Sequence, residues 1–284
     1  ESLSGWLGFG VVLWLGATAR LPSEDAVVLE RGGAKAGGSM LIACPILPRI
    51  SNFDDLDPLK LEEGVELRMI PPGQPIPAEA VLVILPGSKA TIADLTALRC
   101  AGWDIDILAH HRRGGMTLGI CGGYQMLGRS ISDPEGLEGP TGTVSGLGLL
   151  DVETTLHASK ALRPVSGMAL GAPFGGYEMH MGQTSGPDTE RPFAILSDGR
   201  RDGAMNAAGT VLGTYVHGLL ADAGQRRALL SRIDVAGGGA DYRASVEEAL
   251  DEIASALEDH LDIDALVALA TAERSAPRTA EERA

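Results

Sequence analysis

Three cysteines in 284 residues are too few and too widely spaced for a disulfide framework. Cys44, Cys100 and Cys121 form no close pair, which points to a reducing, cytoplasmic setting. Cys44 sits in an apolar run and Cys100 ends an expected helix, so both read as packing residues. Neither has a CxxC or histidine neighbour, and no metal held by the chain is expected. Clustered Lys and Arg are absent as well, and a formal charge of -15 argues against nucleic acid as a partner. Much of the acidity is local: Glu247, Glu248, Asp251, Glu252, Glu258, Asp259, Asp262 and Asp264 fall in the last expected helix and read as a solvated face. No apolar run is long enough to span a bilayer. The stretch Trp6 to Ala17 follows Glu1 rather than a basic region, so no membrane partner is expected. A P-loop is missing too. The Gly-rich segment Arg31 to Ser39 lacks the order Gly-x-x-x-x-Gly-Lys-Ser/Thr and reads as a linker, so ATP binding would have to come from elsewhere.

What is present is an ordinary globular composition, 44% hydrophobic, in a chain long enough to bury a sizeable core. From Leu41 the pattern alternates. Apolar runs at Leu41 to Leu47, Val65 to Ile70, Val81 to Leu85 and Met116 to Ile120 predict buried strands. Ala90 to Leu98 and Ile105 to Arg113 predict helices between them. This β/α alternation predicts an α/β fold with an open, mostly parallel sheet flanked by helices, whose site lies at the carboxyl ends of the strands. Further strands are expected at Leu147 to Thr155, Tyr177 to Gln183, Phe193 to Ser197 and Val211 to Val216, then a helix from Asp222 to Ile233. Gly237 to Gly239 separate off one long amphipathic helix, Ser245 to Ala270, and a polar tail after Thr271 is expected to be disordered. The domains so read are 1–39, 40–235 and 236–284.

Gly119-Ile120-Cys121-Gly122-Gly123-Tyr124-Gln125 carries the most chemistry. A buried strand would end at Ile120, two glycines permit a sharp turn, and a helix can open at Tyr124. Cys121 would then stand where free backbone N–H groups favour a thiolate, as in the serine-centred nucleophile elbow. A cysteine in apolar surroundings can also be a small core residue. Two histidines end or line strands: His217 after Val211 to Val216, and His180, which shares one strand face with Glu178. His110, His111, Arg112 and Arg113 at a helix end read as solvated.

The string Gly119 to Gly128 resembles the nucleophile motif of class I glutamine amidotransferases, and Gly-Gly-Tyr-Gln-Met-Leu-Gly looks like their cobyric acid synthase branch. Four segments extend the resemblance across about residues 40 to 235. They are Pro48 to Leu59, Leu85-Pro86-Gly87-Ser88-Lys89, Gly176 to Gly182, and Gly213 to Gly218. The resemblance implies a flavodoxin-like fold, glutamine as substrate, Cys121 as nucleophile and His217 as base. The backbone N–H groups of Gly87 and Gly122 would form the oxyanion hole, with Gln125, Tyr177 and His180 at the glutamine site. It further implies an N-terminal synthetase domain, of which 1–39 would be a remnant with the linker. That domain would use ATP and Mg to amidate four peripheral carboxylates of a corrinoid, adenosylcobyrinic acid a,c-diamide, with the ammonia released here.

One departure bears on mechanism. Many class I amidotransferases carry a glutamate two residues after the catalytic histidine, and here that position is Leu219. Glu178 is a candidate replacement. Rival readings are a glutaminase of cobyrinic acid a,c-diamide synthesis or of lipid II amidation, and a non-catalytic docking module.

Overall fold

The computed structural model describes residues 40–239 and 241–275. The stretch Trp6 to Ala17 and the expected linker Arg31 to Ser39 lie outside the described residues. The chain divides into two compact units, with the boundary between Tyr242 and Arg243.

The first unit is built on a six-stranded sheet. Its chain order is β1 (Met40–Pro45), β2 (Val65–Ile70), β3 (Leu82–Leu85), α1 (Thr91–Cys100), α2 (Trp103–Arg112), β4 (Met116–Ile120) and α3 (Gly122–Leu127). A second, mostly antiparallel sheet interrupts with β5 (Glu153–Ala169), β6 (Ala172–Ser185) and β7 (Ala194–Leu196). The main sheet then closes with β8 (Ala204–Met205) and β9 (Val211–Thr214), and is followed by β10 (Val216–His217) and α4 (Ala223–Leu230). Strand order is β8-β9-β4-β3-β1-β2, parallel throughout except for β8 against β9.

The central strands are buried on both faces, which is why they read as continuous apolar runs. Alternation sends Ile42, Ile84, Leu118 and Leu212 into one core layer. Leu41, Ala43, Val83, Leu85 and Val211 enter the other. Each fully buried Leu, Ile or Val side chain is worth about 1.5–3 kcal/mol against exposure. The register pairs Leu85 with Gly119 and Ile120 with Thr214, so β3, β4 and β9 end side by side. Cys121 follows directly after β4, Gly87 lies two residues past the end of β3, and His217 lies three residues past the end of β9.

The second sheet runs Arg201–Asp202, β7, β5, β6, β10. Leu170 and Gly171 join β5 to β6 with φ of 51° and 81°, the two positive angles that a two-residue hairpin turn of matching twist needs. After Tyr215 the chain passes from β9, in the first sheet, to β10, in the second. There Tyr177 pairs with His217 and Glu178 with Val216.

Several expectations are corrected. Residues 147–152 form a loop, and strand structure begins at Glu153 and continues through 156–169, where none was expected. Within β5, β7 pairs only with Gly167 to Ala169, leaving Pro164 outside that pairing, as suits a residue with no N–H to donate. His110 is not solvated: it is 2% exposed, with Nε2 2.8 Å from the Met116 carbonyl. Cys44 is buried as expected, whereas Cys100 is exposed.

In the second unit the single long helix is two, α5 (Tyr242–His260) and α6 (Ile263–Ser275). Asp262 caps the second by accepting from the Ala265 N–H at 2.9 Å, which favours a fresh start over continuation. The helix runs four residues past Thr271, where disorder was expected. Among the described residues no helix is long and apolar enough to cross a membrane.

Candidate active site

Cys121 follows β4 and takes φ 52°, ψ -109°, a conformation that L residues rarely adopt. Hydrogen bonds on both sides hold it there. Its N–H donates to the Thr214 carbonyl at 2.8 Å, and its own carbonyl accepts from the Gln125 N–H at 3.1 Å to begin α3. Gly123 makes the tight packing of α3 possible, because an added Cβ would stand 2.0 Å from the Leu85 carbonyl oxygen. The thiol points to the Met179 carbonyl at 3.4 Å. It lines a cavity of about 300 Å³ with Ser88, Lys89, Glu138, Met179 and His180 among its neighbours.

His217 is 1% exposed. Its Nδ1 lies 2.7 Å from Oδ2 of Asp55, while Oδ1 of the same carboxylate accepts from the Gly218 N–H at 2.6 Å. Nε2 is closed to solvent and has no partner in conventional hydrogen-bond geometry. Burial opposes a charged ring, but the Asp55 hydrogen bond, and after it the Cys121 sulfur close to the ring, outweigh burial and push His217 up to about 10. The imidazolium is therefore the neutral-pH form. Asp55 reaches this place from a 3-10 turn, Phe53–Leu56, entered through Asn52 in the left-handed region, which Asn tolerates better than most residues.

The carboxylate hydrogen-bonded to His217 is that of Asp55, not the Glu178 expected as a candidate. Glu178 is held elsewhere by Arg163 at 2.6 Å and Arg200 at 3.0 Å. Burial works against its charge, yet the hydrogen bonds from Arg200 and Arg163 keep its pKa below the ordinary value. Leu219 is 3% exposed in the hydrophobic core, so that position holds packing rather than charge.

The other expected residues separate into groups. Gly87 pairs with Ser51 across a two-residue ladder, where an added Cβ would meet the Ser51 carbonyl at 2.8 Å and His217 Cε1 at 3.4 Å. Gly122 sits against Ser88, its hypothetical Cβ 3.0 Å from the Ser88 nitrogen. Both glycines are thus beside the thiol and imidazole, and Gly122 is in the first turn of α3, where N–H groups lack helical acceptors. Gln125 lines the cavity, but its amide is engaged: Oε1 accepts from Thr91 at 3.0 Å, and Nε2 donates to Met181 at 2.9 Å and to Tyr215 at 3.2 Å. Tyr177 is outside the cavity lining. It stacks behind His217, centroids 5.2 Å apart, with its hydroxyl accepting from Asn52 Nδ2 at 2.7 Å. His180 does line the cavity, stacked on Tyr215 at 3.8 Å. Burial lowers its pKa, and it has no carboxylate hydrogen bond of the kind His217 has. No group of three metal-ligating side chains occurs among the described residues.

Fold and site place the chain among α/β proteins that carry a cysteine on a strand-to-helix turn facing a carboxylate-backed histidine. Residues 41–225 match the family of CobB/CobQ-like glutamine amidotransferase domains, and the chain belongs to that family. It is 79% identical over 276 residues to a cobyric acid synthase of Novosphingobium aromaticivorans, covering 97% of this chain and 56% of that protein. It is 70% identical over 272 residues to one of Rhizorhabdus wittichii, covering 96% and 56%. The chain therefore spans little more than half the length of these curated relatives. A solved glutamine amidotransferase structure, 19% identical, aligns with 70% of this chain and 100% of its own at a TM-score of 0.50, which supports the fold.

Proposed function

We propose that this chain is the glutaminase part of a cobyric acid synthase. The observation that carries the reading is Cys121 and His217, which follow β4 and β9, with Asp55 behind His217, in a chain 79% identical to a protein of that name. Cys121, as the thiolate, attacks the side-chain amide carbon of glutamine. The resulting oxyanion is held by the N–H groups of Gly122 and Gly87. His217, protonated at neutral pH, gives its proton to the departing nitrogen, so that ammonia leaves and a glutamyl thioester remains. Neutral His217 then takes a proton from water, whose oxygen attacks the thioester. Collapse releases glutamate and restores thiolate and imidazolium. Asp55 holds the ring on Nδ1 and stabilises its charge throughout.

The ammonia would serve an ATP- and Mg-dependent synthetase part, corresponding to the length of the relatives not covered here. That part amidates four peripheral carboxylates of adenosylcobyrinic acid a,c-diamide in cobalamin biosynthesis. A cytoplasmic location suits this chemistry and the three unpaired cysteines.

The test is glutamate release from glutamine by the chain and by Cys121→Ala, alone and with the synthetase part, ATP and corrinoid. Release that needs Cys121 and rises with the complete mixture is the expected result. Release that persists in Cys121→Ala, or none under any condition, overturns the reading.

A further inference from the structure

We infer that Lys89 and Glu138 form the specificity-determining pair for free glutamine, Lys89 taking the α-carboxylate and Glu138 the α-ammonium. The inference rests on the glutaminase reading. The cavity that holds Cys121 is lined by Lys89 and Glu138 as well as by Ser88, Met179 and His180. Apart from the reacting Cys121, the lining holds one lysine, Lys89, and one acidic residue, Glu138, and so one side chain of each sign. A volume of about 300 Å³ is at the small end for ligand sites, suited to a ligand of amino-acid size. Once the reacting amide is at Cys121, the zwitterionic end of glutamine must lie along the remaining wall. That wall offers a cation and an anion.

The Glu138 carboxylate is fixed in place before any ligand arrives, and Lys89 is anchored through its backbone. Glu138 Oε2 accepts from the Ile92 N–H at 2.8 Å, on the first turn of α1. The loop behind it is tied by Asp133, whose two oxygens accept from the N–H groups of Leu137 at 2.9 Å and Glu138 at 2.8 Å. The Lys89 N–H donates to the Arg49 carbonyl at 2.9 Å, directly after the ladder that holds Gly87. A charge preset in this way, as that of Glu138 is, needs little ordering on binding, which favours recognition.

The experiment uses Lys89→Met and Glu138→Gln with three amides. They are glutamine, glutaramate (no α-ammonium) and 4-aminobutanamide (no α-carboxylate). Glutamine retains an amide oxygen for Ile92 in Glu138→Gln, so α1 keeps its bond. Hydrolysis gives KM and kcat, and calorimetric binding to the same substitutions in a Cys121→Ala background gives Kd without turnover. Each variant should weaken glutamine roughly 10- to 100-fold in KM and Kd, as for loss of a hydrogen bond to a charged group, with kcat nearly unchanged. The pattern should be crossed. Glu138→Gln loses the preference for glutamine over glutaramate and keeps that over 4-aminobutanamide; Lys89→Met does the reverse. Unchanged affinities, or both preferences falling together in either variant, overturn the inference. Selective binding without hydrolysis in the unsubstituted chain would sink the glutaminase reading while leaving the pair in place.

Discussion

At the scale of single residues, the pairing of His217 with Asp55 sets the protonation state on which the proposed chemistry depends. Because the folded-state pKa of His217 is raised to about 10, the imidazolium persists through neutral pH and is lost as pH rises through that value. The basic limb of kcat/KM for glutamine should therefore lie near 10. In Asp55→Asn the ring keeps its burial, which favours the neutral form, but loses the compensating carboxylate. The limb should move to lower pH, and kcat should fall roughly 100- to 10,000-fold, as when a triad loses its orienting carboxylate. A pH profile that stays put would show that Asp55 does not set the charge of the ring. The same raised pKa has a consequence for stability: the contribution is full below about 6.5, the ordinary histidine value, and is lost as pH climbs towards 10. Cys121 and His217 were legible in the sequence because each follows an apolar strand in a recognisable local motif. Asp55 was not, being 162 residues from His217 and one of several acids in Pro48 to Leu59. The burial of Leu219 is equally invisible until the turn after β10 is seen.

At the scale of elements, the strand-to-helix turn is where local backbone and catalytic geometry are the same problem. Gly123→Ala places a methyl 2.0 Å from the Leu85 carbonyl, a backbone atom that cannot rotate away, so α3 must lift from β3. Overpacking of this kind costs about 1–3 kcal/mol. The larger effect should be functional, since Cys121 sits at the pivot. We expect a modest drop in melting temperature but loss of most glutamate release, and slower alkylation of Cys121 by iodoacetamide. Normal turnover at a lowered melting temperature would separate the packing role from the catalytic one. The parallel strands were readable here because burial on both faces leaves uninterrupted apolar runs: β2 and β4 have the limits the sequence predicts. The β5–β6 hairpin was only partly readable. It leaves apolar side chains in the open, Leu162 65% and Met168 50% exposed, so apolar positions along it do not trace one buried face.

At the scale of the whole first unit, an ion pair joins two segments 164 residues apart in sequence. Glu62, in the turn before β2, accepts from Arg226 Nε on α4 at 2.7 Å, with the guanidinium 0% and the carboxylate 4% exposed. Arg226 Nη1 also donates to the carbonyls of Leu220 and Ala221 at 2.9 Å each, and so fixes the turn that follows His217. Glu62 Oε2 accepts in addition from the Gly238 N–H at 2.7 Å, drawing in the chain beyond α4. Charges removed from water to this degree gain little net stability as a pair, but either one alone is expensive. Arg226→Met should therefore destabilise the first unit by about 3–5 kcal/mol, because it takes the guanidinium charge from the buried Glu62 carboxylate and its hydrogen bonds from two turn carbonyls. Glu62→Leu with Arg226→Met should recover a large part of that loss. Urea denaturation of the single and double variants checks the coupling, and equal stability of the two would mean that the cost lies in the turn carbonyls instead. Glutamate release by the double variant then reports whether the restored stability also restores the position of His217. Recovery of stability without recovery of turnover is expected, since no apolar pair can hold the Leu220 and Ala221 carbonyls that set the turn.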